Sequence, residues 1–213
     1  MLLAELKSGA KSPEQHLSDT RPAHRAQFSG LTAKGCEYFA GNYRGSRGCL
    51  VGYEVTIGSD IETTHSTEVG EAMDKLHAIV NADVKRIIAE AESRASKSVA
   101  TSDAVDGELQ AGAGEQSVGA STEEVSEEED LFIKNLDIAL EHMVNFMAIH
   151  PYANGNGHMG RFMLFCFLCL MGMWPEKWPI DKRPPEPYDY YIKKFREGFP
   201  DPLREFVIDQ IVG

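Results

Sequence analysis

Apolar residues recur at helical spacing along three stretches of the chain. Val69, Met73, Leu76, Val80, Val84, Ile87 and Ala91 fall at steps of three and four, one face of a helix reaching about Ser93. Ser66 or Thr67 stands where its N-cap belongs. Phe132, Leu136, Ala139, Leu140, Met143, Phe146 and Met147 make a second stripe that ends near Ile149, with Ser126 and Glu129 at capping-box spacing before it. A third helix opens near Gly157 and is apolar almost all round from position 162 to 173, which makes it the buried centre. Trp174 and Trp178, around Pro175, cap its end. Two amphipathic pieces, near 187–197 and 202–212, close the pattern.

The intervening segments read differently. Residues 1–30 are polar and broken by Pro13, Pro22 and Gly30, which predicts irregular structure or a short helix. Glycines punctuate 31–61, and positions 49–57 are rich in β-branched and aromatic residues, which predicts one or two short strands and a small hairpin. Residues 95–130 hold no aromatic residue, abound in Ala, Gly and Ser, and end in an acidic run. Too little apolar surface exists there to offset chain entropy, so a disordered insertion between two helices is expected. The predicted architecture is mainly α with a small β-hairpin: an irregular segment 1–30, then one helical domain over 31–213, interrupted at 95–130.

Composition and charge narrow the function. The chain of 213 residues suits a single domain with or without an appendage. Its formal charge of −12 is concentrated: ten acidic residues against Lys97 alone put −9 into 95–130 and leave −3 for the rest. No basic stripe is present, so nucleic acid is not an expected partner. The longest apolar run, thirteen residues from Phe162 to Trp174, is too short to span a bilayer, and Met1-Leu2-Leu3-Ala4-Glu5 lacks the apolar core of a leader. A cytoplasmic protein without a membrane segment is expected. Cys166 and Cys169 form a C-x-x-C inside the apolar helix with no second ligand pair, so they read as packed, reduced thiols and not as a zinc or redox site. His142, at the edge of its stripe, is expected at the surface.

The informative stretch is His150-Pro151-Tyr152-Ala153-Asn154-Gly155-Asn156-Gly157-His158-Met159-Gly160-Arg161. It places a histidine at the end of one helix and a Gly-Asn-Gly turn at the start of the next. Glycines allow tight turns and close backbone approach, and the free N–H groups of a helix's first turn, with its dipole, favour an anion. His158 and Arg161, three apart, can reach the same side. The assembly suits a phosphate cradle beside a proton acceptor. The same residues also read as a surface turn, with His150 incidental and Arg161 paired to a carboxylate.

The stretch resembles the signature of the Fic (Fic/Doc) family, His-x-Phe-x-Asp/Glu-Gly-Asn-Gly-Arg-x-x-Arg. His150, Gly155, Asn156, Gly157 and Arg161 match, and Tyr152 replaces Phe. Phe39-Ala40-Gly41-Asn42-Tyr43-Arg44 is similar to the family's stretch before its active-site hairpin, and residues 191–206 resemble its closing helices. The resemblance implies a helical domain with a β-hairpin flap that moves AMP from ATP to a Ser, Thr or Tyr hydroxyl of a target protein, with Mg²⁺ or Mn²⁺. By the same resemblance His150 is the general base, Gly155, Asn156 and Gly157 form the anion hole, Arg161 holds the terminal phosphate and Tyr152 anchors the loop in the core. Residues 48–58, with Tyr53, Glu54 and Val55, become the flap that aligns the target by strand addition.

Two positions depart from the pattern. Asn154 stands where the family has the acidic metal ligand, and Mg²⁺ prefers charged oxygen. His158 replaces the first arginine and brings fewer donors. Both changes imply a weakened hold on a metal–triphosphate, and so slow or altered transfer. The alternative is a degraded pocket that serves as a nucleotide- or protein-binding module. Positions 131–213 contain no Ser or Thr, so the family's inhibitory Ser/Thr-x-x-x-Glu-Gly/Asn pattern is missing there. Inhibition would then fall to a separate, small antitoxin-like protein.

Overall fold

The computed structural model describes residues 2–57, 61–105 and 120–212. Its helices are α1 (Leu2–Lys7), α2 (Pro13–Ser18), α3 (Thr20–Phe28), α4 (Val69–Val105), α5 (Ala120–Ile149), α6 (Asn156–Leu170), α7 (Tyr188–Arg196) and α8 (Asp201–Val212). One antiparallel hairpin, β1 (Thr56–Ile57) and β2 (Ile61–Glu62), sets Thr56 opposite Glu62 and Ile57 opposite Ile61. The mainly helical architecture is as the apolar spacing predicts. Central α6 packs on α5, α2, α4 and α3, and Met159 and positions 162–168 along it are buried. Each of its buried Phe, Leu and Met side chains contributes roughly 1.5–3 kcal/mol.

α6 stops at Leu170 and not at 173, because Gly172 takes a left-handed φ of 83°. There Gly172 N–H bonds the Cys169 carbonyl at 3.1 Å and Met173 N–H bonds that of Leu168 at 2.9 Å, a Schellman closure. Cys166 is wholly buried within α6, and burial pushes the half-buried Cys169 thiol up to about 11, so both are inert packing groups.

The first thirty residues differ from expectation: 2–28 hold three helices. The prolines misled because both sit in first turns, where no backbone N–H is needed. Pro13 follows Ser12, which forms a capping box with Gln15, and Pro22 lies two residues into α3, whose cap is Asp19. Leu17 and Ala23 are fully buried, so these helices belong to the core. The acidic stretch also differs. α4 continues to Val105 and α5 begins at Ala120, since Ala and Glu propagate an existing helix readily. Ser126 and Glu129 therefore lie inside α5, not at its start. Disorder expected at 106–119 falls outside the described residues. α4 is closed by Ala72 N–H on the Glu68 carbonyl at 2.9 Å, so Glu68, not Ser66 or Thr67, is the cap residue. The flap is shifted as well: of 49–57 only Thr56–Ile57 is strand, while Gly48–Leu50 is a 3-10 turn.

Candidate functional site

The site begins where α5 ends. His150 has φ 54°, a left-handed conformation costly for a residue with a Cβ. What holds it is Arg44, whose side chain is fully buried. Its Nε donates to the His150 carbonyl at 2.8 Å and its Nη2 to those of Ile149 at 3.0 Å and Thr64 at 2.8 Å, while Nη1 reaches the Tyr53 carbonyl at 3.0 Å. A cation bonded to the last carbonyls of a helix also suits the negative end of its dipole. Arg44 N–H bonds the Pro151 carbonyl at 2.8 Å, continuing the same seam. The His150 Nδ1 faces the Met147 carbonyl at 3.4 Å, a weak contact that favours a proton on Nδ1 and a lone pair on Nε2. Burial, aided by the Arg44 and Arg196 charges and opposed by the Met147 carbonyl, holds its pKa below 6.5, so the ring is neutral at pH 7.

The loop between α5 and α6 is built on its own side chains. Tyr152 is wholly buried, and its hydroxyl pairs with Thr20 Oγ1 at 2.8 Å. The Asn156 amide accepts from Tyr152 N–H at 2.9 Å and donates to the Tyr152 carbonyl at 2.8 Å. Its side chain is thus a loop clamp, and what Asn156 offers an anion is its backbone N–H. Gly155, with φ 80°, is the N-cap of α6; a Cβ there would lie 2.4 Å from the Phe28 ring. Only glycine fits both constraints.

Arg161 reaches back along the first turn of α6, where a Cβ on Gly157 would stand 3.3 Å from its Nη1. The residue is 4 % exposed, its Nη2 donates to the Ile180 carbonyl at 3.3 Å, and its Nε is buried with no partner among the described residues. Desolvation by burial lowers its pKa while it remains a cation, with Tyr188 and Asp181 opposing the shift. An under-bonded guanidinium at a helix N-terminus is a place for an anion. Trp178 fixes the backbone beneath it, its indole N–H on the Arg161 carbonyl at 3.0 Å.

Residues 71–168 match the family model described as the Fic/DOC family. The chain carries a Fic/DOC segment. No curated protein matches the chain. The segment includes the loop, all of α5 and most of α4 and α6; Arg44, the flap and α7–α8 lie outside the matched residues.

Within the Fic/DOC segment, not every expected residue faces the cradle. His158 turns its Nε2 to the Asp181 carbonyl at 3.1 Å. Asn154 is exposed, its Oδ1 accepting Gly155 N–H at 2.7 Å and its carbonyl accepting His24 Nε2–H at 3.0 Å. That leaves a neutral, engaged amide at the position the resemblance gives to the metal ligand. This donor does not fit Mg²⁺ or Mn²⁺, which prefer charged oxygen.

The flap residues also serve the fold. Glu54 accepts Ser66 N–H at 3.0 Å and lies 3.3 Å from His65 and 3.4 Å from Arg44, and these bonds and charges hold its carboxyl below the usual range. The Val55 carbonyl accepts from Thr63, and Tyr53, 38 % exposed, sets its ring edge-on to Phe39. Glu54 and Val55 therefore anchor the hairpin base. His142 is buried, not exposed: it bonds Asp83 at 2.9 Å and stacks on Phe167. Trp178 is buried against α6, whereas Trp174 is 37 % exposed and set edge-on to Phe165. Arg44 and His24 are the important residues whose roles the sequence left unassigned; nothing in their local spacing distinguishes them from surface cations.

Proposed function

We propose that this chain is a transferase that moves AMP from ATP, or a related nucleotide or phosphate group, onto a Ser, Thr or Tyr hydroxyl of a target protein. Domains of the Fic/DOC family generally transfer such groups to proteins. The observation that carries the reading is Arg161, a buried cation whose Nη1 lies against the first turn of α6 and whose Nε has no partner among the described residues. In the reaction, His150 Nε2 takes the hydroxyl proton as the oxygen attacks the α-phosphorus. The bond from that phosphorus to its bridging oxygen breaks, and pyrophosphate leaves with the electron pair. Backbone N–H groups of Asn156 and Gly157 stabilise the added negative charge, and Arg161 holds the departing phosphates. No step is assigned to a metal ion, because the residues at position 154 and around it do not suit one.

Mass spectrometry after incubation with ATP and a set of candidate proteins tests this directly. A gain of one AMP on the chain or a bystander, lost in His150→Ala, is the expected result; no gain at any nucleotide refutes transfer. The second reading, a binding module, is favoured by one observation: Asn154 is engaged by the Gly155 N–H and His158 by the Asp181 carbonyl, so both are taken up by the protein's backbone. Nucleotide binding without turnover would select it. A separate antitoxin-like inhibitor belongs to the same proposal, and full activity in the presence of every co-purifying protein would remove it.

A further inference from the structure

We propose that His24 is a positioning residue for the phosphate-binding loop, acting through the Asn154 carbonyl; this rests on the transferase reading above. His24 lies on α3, far from the loop in sequence, and is 3 % exposed. Its Nδ1 accepts Gly41 N–H at 2.9 Å, and its Nε2 donates to the Asn154 carbonyl at 3.0 Å. A ring that accepts at Nδ1 carries its proton at Nε2, so the two bonds specify one tautomer. The ring is sandwiched as well, 3.7 Å between centroids from Tyr152 and 4.6 Å from Phe28.

The position of this clamp matters more than its strength. The Asn154 carbonyl and the Gly155 N–H belong to one peptide plane, so holding the oxygen sets that plane's rotation. The plane leads into Gly155 at φ 80° and then into the first N–H groups of α6. At the other nitrogen, Gly41 opens the run that reaches Arg44, which grips the carbonyls of Ile149 and His150. One imidazole thus links the backbone that holds the base to the backbone that holds the anion cradle. Packing alone needs only the stacked ring. Two directed bonds to opposite segments serve relative position.

Calorimetric binding of ADP and of inorganic pyrophosphate to the full chain tests this. His24→Phe keeps a ring without nitrogens; His24→Asn keeps an acceptor near Nδ1 and loses the donor; His24→Gln carries an amide N–H toward the Nε2 position. Phe and Asn should weaken binding about tenfold, the loss expected for one buried hydrogen bond, and Gln should recover to within about threefold. Equal affinity in wild type and His24→Phe overturns the proposal. Should the variants fail to fold, nitrogen-15 NMR of the wild-type imidazole decides: the Nε2 resonance should shift when ADP binds, and an unmoved Nε2 overturns the role. Absence of binding by wild type to either probe sinks the transferase reading itself, whereas wild-type binding with indifferent His24 variants removes only His24.

Discussion

Gly155→Ala separates two forces acting on the loop. Alanine at φ 80° meets the left-handed penalty, about 1–2 kcal/mol. Its Cβ would also stand 2.4 Å from the Phe28 ring, roughly 1 Å inside ordinary contact, and overpacking of that kind costs about 1–3 kcal/mol. The sum is about 2–5 kcal/mol of lost stability in a urea titration. Phe28→Ala removes the second force and not the first. In that background Gly155→Ala should cost only about 1–2 kcal/mol, which leaves a coupling of about 1–3 kcal/mol between the positions. A double-mutant cycle measures it. Additivity within about 0.5 kcal/mol would show that Phe28 does not press on the loop, and the account of why position 155 is glycine would fail. The same variants should lose pyrophosphate binding even where folded, because the first turn of α6 shifts with the loop.

Arg161→Met should abolish pyrophosphate binding while leaving stability unchanged or raised, since a buried, under-bonded cation contributes little to folding; a large loss of stability on denaturation would count against its role as an anion site. Asn154→Asp should keep the bond to Gly155 N–H, free a charged oxygen and raise Mg²⁺-dependent labelling; equal incorporation with the wild type at limiting Mg²⁺ refutes this account of position 154. Burial lowers the His24 pKa to about 4, against a bond to the Asn154 carbonyl that raises it. Below pH 6.5 the unfolded chain takes up a proton that the folded ring refuses, so this contribution is complete above pH 6.5. It falls by about 1.4 kcal/mol per unit toward pH 4, and the wild-type advantage over His24→Gln should narrow accordingly in urea titrations at pH 7 and 4.5. His150 is likewise held below its ordinary value, so transfer should persist at pH 6.5 and decline only on further acidification; a rate that already halves well above pH 6.5 contradicts it as the neutral base.

The central helices were legible because α4, α5 and α6 write their burial directly into residue spacing. Val69, Met73, Leu136 and Leu140 are all buried where the stripes put them. The first thirty residues were not, because short helices present only one or two core positions each, and Leu17 and Ala23 are too few to form a period. Prolines at α2 and α3 then read as breaks, although they occupy first turns. Of the site, Gly155, Gly157 and Arg161 were legible as a turn followed by a cation. Asn156 was legible as part of the loop but not in its role, since an amide's two ends reveal nothing about whether they face a ligand or the chain.

Arg44 shows why the rest of the site had to wait for coordinates. A lone arginine among glycines reads as a surface charge, yet here it is fully desolvated and reaches four backbone carbonyls on separate segments. Those carbonyls lie on α5, the loop entry and both sides of the hairpin, so no local pattern could predict their convergence. The consequence is mechanical. The hairpin that would present a target and the histidine that would deprotonate it hang from the same guanidinium. Moving one without the other would leave a buried charge short of acceptors, which costs several kcal/mol. Flap and base are therefore expected to shift as a unit, with Arg44 as the joint. Arg44→Lys, which keeps the charge but cannot serve four carbonyls in one plane, would uncouple them.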